Sequence, residues 1–374
     1  MYDLVVIGGG PAGTSAAITA ARSGFRVLLL ERGRFPRQKV CGEFVSAESL
    51  ELLGTLLSRS EICLLHQAVR ISQTRVFADG RILQGRVDPP AASIGRFELD
   101  LALWRAAAAS GVEQLEQTIV NKVTNNGPFA VSTTRGDFEA RSVINASGRW
   151  SNLSQTPSNG NPAVDPDRAP KTELPHRWIG LKGHFAESQP SRSVDLYFFE
   201  GGYCGVQPVM LRDDALSRVN VCAMVRAEVA RNLGDVFSLN HELLVRSRNW
   251  EPLTEAVTTS QLVFRKSQAT RDHLLQVGDA ATFVDPFIGD GISLALRSGT
   301  LAAQTLEPFL RNEQSFDATL AAYEAEYADQ FKRVFRSSSR IRGLLTMPKP
   351  IRWIALTAAE YAPALMEYAV RRTR

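Results

Sequence analysis

Residues 3–31 read DLVVIGGGPAGTSAAITAARSGFRVLLLE and decide the fold class of this chain. The run YDLVVI (2–7) predicts a short buried strand, and FRVLLLE (25–31) predicts a second one. Between them, AGTSAAITAARSG (12–24) carries small and apolar residues at helical spacing and ends in Gly24, a residue type that commonly terminates helices. Strand, helix and strand in this order predict a βαβ unit and an α/β fold.

The glycines between the first strand and the helix follow the pattern G-x-G-x-x-G. Gly8 would permit a tight turn, Gly10 would let a pyrophosphate approach the backbone, and Gly13 would allow the helix to pack closely on the strand. The helix start offers free N–H groups and a positive dipole end to the phosphates. Glu31 ends the second strand, where a carboxylate can accept hydrogen bonds from ribose hydroxyls. The alternative is a purely structural turn. The predicted Rossmann-type dinucleotide site comprises Gly8, Gly10, Pro11, Ala12, Gly13, Glu31 and Arg32.

The composition is that of a soluble globular protein of two or three domains, with 374 residues, 44% hydrophobic and 22% charged. The four cysteines lack CxxC spacing and the five histidines are scattered, so we predict neither a metal site nor a disulfide framework. The N-terminus has no basic region and is typical of a strand rather than a signal peptide. No run reaches the roughly 18 unbroken apolar residues of a membrane span. These features predict a cytoplasmic location and no nucleic-acid partner.

Positive charge is concentrated at the C-terminus. Residues 331–374 hold ten Lys or Arg and two Glu, whereas the rest of the chain has more acidic than basic groups. The segment 341–374 mixes basic clusters with Leu, Ile, Trp and Tyr and is predicted to be helical, with an interruption at Pro348 and Pro350. Two interpretations stay open. The segment could contact the inner face of a membrane peripherally, or its helices could pack on the rest of the protein.

Further elements follow from periodicity and turn residues. FELDLALWRAAAASG predicts a helix from Phe97 to about Ala109, and DFEARSVINASG predicts a strand that becomes buried. Residues 151–176 are rich in Pro, Asn and Ser and indicate a long loop or linker. Beyond it, four alternating segments predict successive strands of an antiparallel sheet with one covered face: RWIGLKGHF, SVDLYFFE, YCGVQPVM and RVNVCAMV.

A second motif, VGDAATFVDPFIGDGISLALRSG (277–299), combines a strand end, a glycine loop and a helix start. It resembles the second fingerprint of the large FAD-binding family that includes aromatic hydroxylases, geranylgeranyl reductases and flavin-dependent halogenases. The resemblance implies that Asp279 binds the ribitol chain of FAD. It also implies that the loop Asp285–Ile292 presents N–H groups and a helix start to the N1/C2=O edge of the flavin, where they would stabilise negative charge. The further cofactor residues implied are Arg96, Gly278, Asp279, Gly289, Gly291 and Ile292, with Asp100 capping or orienting the helix that Arg96 precedes.

The segment KVCGEFVS (39–46) narrows the resemblance. It is similar to the K-x-C-G-G segment of the geranylgeranyl reductase branch, and more similar still to KVCGEF in oxidoreductases associated with type III polyketide synthases. The similarity extends through WIGLKGHF, GGYCGVQPV, NVC and DPFIGDGI to about residue 310. It implies that Cys41 and Gly42 lie beside the isoalloxazine ring. The candidate catalytic residues are Cys41, Gly42 and Tyr203.

Cys41 stands in a basic loop, and we expect Lys39, Arg37 and Arg34 to lower its pKa and favour the thiolate. Such a group beside a flavin could orient a substrate or supply a proton. The alternative is a small buried residue in a tight turn. The remaining cysteines, which we predict in the core, are Cys63, Cys204 and Cys222.

Departures from the family patterns bear on the reaction. Aromatic hydroxylases carry Asp-Gly where this chain has Ser147-Gly148, which weakens the monooxygenase interpretation. The halogenase motif Trp-x-Trp-x-Ile-Pro is absent, so we interpret Lys182 as a strand residue.

The strand GGYCGVQPV departs from the Tyr-x-Trp-x-Phe-Pro strand over the substrate cavity of geranylgeranyl reductases. It keeps Tyr203 and Pro208 but has Gly205 and Gln207 at the large apolar positions. We therefore expect a cavity that is wider or more polar than one for a plain prenyl chain.

The resemblance implies an FAD-dependent oxidoreductase with a discontinuous Rossmann-type domain, an inserted antiparallel-sheet substrate domain and a helical C-terminus. The predicted FAD-binding domain comprises 1–75, 96–150 and 268–340, the substrate domain 76–95 and 151–267, and the C-terminal helical segment 341–374. No second dinucleotide fingerprint follows, so NAD(P)H, if used, would dock transiently, and the alternative is another electron donor.

The favoured activity is reduction of a carbon–carbon double bond in a lipophilic isoprenoid-like or polyketide-like substrate, with hydride from reduced flavin and a proton from a nearby acid. Two alternatives stay open. One is a monooxygenase that hydroxylates an aromatic polyketide, and the other is an electron-transfer flavoprotein without an organic substrate. The oligomeric state is left open.

Overall fold

A computed structural model of the chain describes residues 1–125, 127–149, 177–209, 217–259, 262, 267–283 and 289–345. Three regions singled out in the sequence lie outside the described residues: the linker 151–176, residues 285–288 of the glycine loop and the tail from residue 346.

Seventeen strands and eight helices are formed by the described residues. The strands are β1 Tyr2–Ile7, β2 Val27–Leu30, β3 Phe44–Val45, β4 Val69–Ala78, β5 Arg81–Ser93, β6 Glu113–Leu115, β7 Val120–Asn125, β8 Phe129–Thr133, β9 Gly136–Asn145, β10 Trp178–Ala186, β11 Ser193–Phe199, β12 Gly202–Pro208, β13 Arg218–Arg226, β14 Glu251–Pro252, β15 Val257–Thr258, β16 Thr270–Arg271 and β17 Leu274–Gln276. The helices are α1 Pro11–Arg22, α2 Ala47–Leu56, α3 Cys63–Gln67, α4 Arg96–Ala109, α5 Leu233–Phe237, α6 His241–Ser247, α7 Gly291–Leu310 and α8 Phe316–Leu345.

The first sheet has the order β16-β17-β9-β1-β2-β6, and β7 and β8 extend it from β9. Its central neighbours β17, β9, β1, β2 and β6 run parallel. Helices α1, α4, α7 and α8 contribute to one apolar core with strands β1 and β2. This arrangement confirms the predicted Rossmann-type α/β fold.

Helices α1 and α7 pack closely because small residues meet at their contact. A Cβ on Gly299 would collide with the carbonyl oxygen of Ala12, and the Ser15 hydroxyl donates to the Leu296 carbonyl at 3.0 Å. Since α1 follows the first glycine motif and α7 follows the second, this contact brings the two motifs together.

The second sheet has the order β14-β10-β13-β12-β11-β4-β5-β3, with β15 also pairing β10. The predicted antiparallel run is confirmed, because β10 pairs β13, β13 pairs β12 and β12 pairs β11 in antiparallel fashion. One feature was not predicted: β11 pairs β4 in parallel. One face of this sheet packs on α5 and α6.

Strand β4 spans the predicted domain boundary between residues 75 and 76, and it pairs with β5 and β11 in the second sheet. The division into domains otherwise stays a prediction. Among the described residues, no helix is long and apolar enough to cross a membrane.

Candidate active site

One cleft gathers nearly all of the predicted site residues. It opens where the carboxyl ends of β1 and β2, the starts of α1 and α7, and one face of the second sheet meet, with a volume of about 330 Å³. The predicted residues that line it are Gly8, Gly10, Pro11, Ala12, Glu31, Arg32, Cys41, Gly42, Arg96, Tyr203, Gly278, Asp279, Gly289, Gly291 and Ile292. Their individual roles stay predictions.

The first glycine motif has the geometry expected of a phosphate cradle. Gly8 has a φ of +111°, and a Cβ there would collide with the Ala146 carbonyl. Gly13 lies behind the cleft, where a Cβ would collide with the Gly8 carbonyl oxygen. By contrast, nothing in the part of the chain that the structure describes lies within 4 Å of a Cβ built on Gly10 or forms a side-chain cap at the start of α1. A pyrophosphate therefore fits this open helix start.

Glu31 lies at the end of β2 and is 4% exposed. Its Oε2 accepts from the Gly9 N–H at 2.8 Å, its Oε1 accepts from the Gly33 N–H at 2.7 Å, and Arg37 donates to both oxygens. Burial alone would raise the pKa of Glu31. The hydrogen bonds and the charge of Arg37 lower it, and so do the hydrogen bonds from the Gly33 and Gly9 N–H groups. The carboxylate is thus held ionised.

Two further cationic side chains, Lys39 and Arg149, line the same cleft. Lys39 lines the cleft, and burial together with the guanidinium groups of Arg37 and Arg96 lowers its pKa to about 8. Arg149 lies 3.4 Å from Asp279 and over the Phe283 ring. Neither cation was assigned to the site from sequence.

Asp279 is the residue expected to bind the ribitol chain. The walls of the cleft enclose it, although 40% of its side chain is still reached by solvent. This enclosure raises the pKa of the carboxyl group, against the effect of Arg149. A polar chain of hydroxyl groups fits such a position.

The second motif supplies another open helix start. Gly278 has a φ of +57° and packs against Ala12, while Gly289 has a φ of +75° and lies against the Phe44 ring. Among the described residues, no side chain forms a capping hydrogen bond to α7, and none lies within 4 Å of a Cβ built on Gly291. A partly negative ring edge fits this helix start.

Cys41 lines the cleft together with Lys39, one of its predicted cationic neighbours, and the structure adds a neighbour that was not predicted. Arg37 is paired with Glu31, and Arg34 is exposed. The guanidinium that interacts with the Cys41 thiol belongs to Arg96, whose position the Asp100 carboxylate fixes through bonds of 2.7 and 2.8 Å. The local sequence could not reveal this neighbour, because α4 reaches the loop only in the folded chain.

The other cysteines divide differently from the prediction. Cys204 is fully buried in the core, as expected. Cys222 lines the cleft, because side chains alternate between the two faces of β13 and that of Cys222 lies on the cleft face, like Met224. Cys63 is half-buried at the start of the short helix α3. Burial raises the pKa of Cys222 to about 12, so its thiol is protonated.

The second sheet forms an apolar wall of the cleft. Tyr203, Met224 and Leu262 line it and form one cluster. Gly205 and Gln207 do not line the cleft, and the expectation of a wider or more polar cavity stays a prediction. A Cβ on Gly205 would already touch Leu196 at 3.5 Å, and the Gln207 amide donates to the Ser93 hydroxyl at 2.6 Å.

A buried charged cluster centres on Glu43, which follows Gly42 in the loop and lines the cleft, and this cluster was missed in the sequence. Glu43 is 0% exposed and accepts from Lys182, from the His184 Nε2 at 2.9 Å and from the Arg96 backbone N–H at 2.9 Å. Burial opposes ionisation of Glu43, but Lys182 and His184 lower its pKa to about 2. Lys182 itself is 1% exposed and does not line the cleft, in keeping with a strand residue.

Comparison with known proteins agrees with this geometry. Residues 3–149 match the family model described as FAD dependent oxidoreductase. A digeranylgeranylglycerophospholipid reductase of Thermoplasma volcanium is 27% identical over 361 residues, which cover 89% of this chain and 84% of that protein. A menaquinone reductase of Mycolicibacterium smegmatis is 26% identical over 398 residues, which cover 99% of this chain and 90% of that protein.

The fold also recurs in a solved flavin-dependent brominase. That structure has a TM-score of 0.78 and 19% identity, and the match covers 100% of this chain and 93% of the brominase. At this identity the likeness shows the fold alone. Taken with the family match and the cleft, these findings define an FAD-dependent oxidoreductase, an enzyme with FAD as its cofactor. Within that class, the chain is similar both to digeranylgeranylglycerophospholipid reductases and to flavin-dependent halogenases.

Proposed function

We propose that this enzyme reduces a carbon–carbon double bond in a lipophilic isoprenoid-like or polyketide-like substrate. The observation that carries the proposal is the apolar wall formed by Tyr203, Met224 and Leu262 across the same cleft that holds the cofactor residues. An apolar wall beside a redox cofactor binds an apolar substrate by excluding water. The curated relatives with the names digeranylgeranylglycerophospholipid reductase and menaquinone reductase support the same substrate class.

The chain's own residues would hold the cofactor along the cleft. The open start of α1 at Gly10 would bind the pyrophosphate, Asp279 the ribitol chain, and the start of α7 at Gly291 the polar edge of the ring. When bound and reduced, FAD supplies the hydride for such a reaction. The second sheet would then exclude water from the reacting bond.

The proton that completes the reduction needs an acid in the cleft. We assign this role first to Cys41, which lines the cleft next to Gly42 and Arg96. A thiol can protonate a carbon next to the reduced one and be reprotonated from solvent through the open cleft. Tyr203 is the second candidate acid, because it lies on the opposite wall.

Dependence on oxygen tests the reaction class. Turnover of a polyprenyl or polyketide olefin with NADPH or dithionite is measured with and without oxygen, and the product mass is recorded. The proposal expects a gain of two hydrogen atoms and undiminished turnover without oxygen. A product that contains an added oxygen atom, formed only in air, would assign the enzyme to the monooxygenases instead. Oxidation of NADPH by a protein partner alone, with no olefin consumed, would indicate electron transfer. A screen of cell extract with mass detection identifies the substrate.

A lipophilic substrate also gives a reason for membrane contact through the C-terminal segment. Residues 331–374 carry ten basic and two acidic residues, and each basic residue near an anionic surface contributes about 1 kcal/mol. We propose peripheral binding there. Flotation with anionic liposomes at low and high salt tests it. Binding at low salt that is lost on deletion of residues after Arg340 supports the proposal, and absence of binding at low salt contradicts it.

A further inference from the structure

The backbone of Glu43 has a conformation that its buried contacts must hold in place. Its φ is +60°, a region that non-glycine residues rarely adopt, and its side chain is fully buried. The carboxylate receives hydrogen bonds from Lys182, His184 and the Arg96 backbone. Charge-assisted bonds of this kind are strong enough to offset such backbone strain.

Strand β13, which pairs with the strand β10 that carries Lys182 and His184, also holds the loop. The Asn220 side chain donates to the carbonyl oxygens of Cys41 at 3.1 Å and Gly42 at 2.9 Å. Asn220 lies directly opposite His184 in the antiparallel pairing of β13 with β10, so both side chains are on one face. At the other end of the loop, Lys182 donates to Gln38 at 3.1 Å.

We propose that Glu43, Lys182, His184 and Asn220 form a positioning cluster that holds the Cys41–Gly42 loop in the FAD cleft. The second sheet, which also forms the apolar wall, thereby sets where the loop meets the cofactor. Lys182, His184 and Asn220 do not line the cleft and act through the loop as positioning residues, whereas Glu43 belongs to the loop and lines the cleft itself. Lys182 lies on β10 and Asn220 on the neighbouring strand β13, which also carries Met224 of the apolar wall. The position of the loop relative to the wall is therefore set by this pair of strands.

A purely stabilising role is the competing explanation. A buried ion pair adds little net stability over apolar residues, because the cost of desolvation offsets the attraction between charges. The role that we propose is instead geometric, because hydrogen bonds to charged groups fix the relative orientation of the segments that carry them. The discriminating measurement must therefore report on the loop and not on unfolding alone.

The experiment measures the Cys41 thiol and the cofactor in the full-length protein. Alkylation by iodoacetamide is followed by peptide mass spectrometry with and without FAD, well below the unfolding temperature. Cys63, half-buried on α3, serves as the internal reference. The FAD absorption spectrum and dissociation constant are recorded alongside. No substrate is needed, so failure of this proposal is distinct from failure of the proposed reductase activity.

The test variants are Asn220→Ala, Lys182→Met and the charge-neutral double variant Lys182→Met with Glu43→Gln. The matched controls are Asn121→Ala and Lys122→Met, at exposed positions of β7. Loss of the two hydrogen bonds of Asn220 should raise Cys41 labelling about tenfold. FAD binding should weaken and its absorption maxima should shift, while Cys63 labelling stays constant.

Two results would overturn the proposal. One is unchanged Cys41 labelling and an unchanged flavin spectrum in the folded variants. The other is a lower unfolding temperature without either change, which assigns the cluster a stabilising role only. Asn220→Ala removes no charge, and the double variant removes both charges of the Lys182–Glu43 pair. These two variants therefore remain informative if Lys182→Met, which leaves the Glu43 carboxylate without its lysine, does not fold.

Discussion

Arg37 donates to both carboxylate oxygens of Glu31, with an Nη2–Oε2 distance of 2.9 Å. The N–H groups of Gly9 and Gly33 donate to the same oxygens. A carboxylate accepts about four hydrogen bonds, so these donors fill the group that was expected to bind ribose. Arg37 would therefore have to yield a position when the ribose hydroxyls bind.

Replacing Arg37 tests the energetic role of this pair. In the wild type the lowered pKa of Glu31 contributes stability that is present above the ordinary carboxyl pKa and is lost as the pH falls through the folded-state value. We expect Arg37→Met to lower the free energy of unfolding by about 2 kcal/mol at pH 7. This difference from the wild type should become smaller below about pH 4.5. Urea denaturation at both pH values measures it. The exposed Arg34→Met is the control, and an equal cost at both pH values would contradict the prediction.

Two glycine substitutions should separate cofactor binding from folding. Gly10→Val should fold, because a side chain there meets open space, but it should yield colourless protein because it fills the path of the pyrophosphate. Gly13→Ala should instead destabilise the chain, since its Cβ would collide with the Gly8 carbonyl. Flavin absorbance and thermal unfolding give the two readouts. Gly54→Ala, on the remote helix α2, is the control; full yellow occupancy of Gly10→Val would show that the site is misassigned.

Cys41→Ser should keep FAD and the fold but lower turnover. The change is nearly isosteric and removes only the chemistry of the thiol. Turnover is measured with the substrate identified by the screen, together with flavin absorbance. Cys63→Ser is the matched control. Turnover equal to wild type would leave Cys41 with a structural role.

Met224→Trp should reduce the space for a substrate beside the apolar wall. Met224 is 6% exposed and faces the cleft from β13, so the larger ring would occupy the space proposed for the substrate. We expect turnover of bulky olefins to fall about tenfold or more while FAD affinity is kept. Ile82→Trp, at an exposed position on β5, controls for an added indole. If the bulkiest substrate is still turned over at the wild-type rate, the substrate binds elsewhere.

Glu98 should make the stability depend on pH in the opposite sense to Glu31. Burial, with a smaller effect of Glu43, raises its pKa to about 7, and its buried Oε2 has no hydrogen-bond partner among the residues that the structure describes. The folded chain therefore holds this proton more tightly, and the stability it confers falls as the pH rises from about 4.5 to 7. We expect Glu98→Gln to gain in unfolding temperature relative to wild type across that range. Glu139→Gln, at an exposed position, is the control, and a constant difference would refute the prediction.

Local patterns were enough for the βαβ unit, for helix α4 and for the two glycine motifs. The βαβ unit was predicted from residues 2–31, and α4 was predicted to start at Phe97, one residue inside its observed start. Both glycine motifs lie at helix starts in one cleft. These features depend on periodicity and on backbone conformations that neighbouring residues dictate, so they can be read along the chain.

The sequence by itself determined the fold class, the cofactor and the residues of the glycine motifs. Only the tertiary structure decided what surrounds Cys41 and which strand residues form the apolar wall. Glu43 and Lys182 are 139 residues apart, and neither position carries a local signal for the other. Such a pair forms because packing excludes water from both charges and leaves each as the other's partner, which depends on the whole arrangement of the sheets.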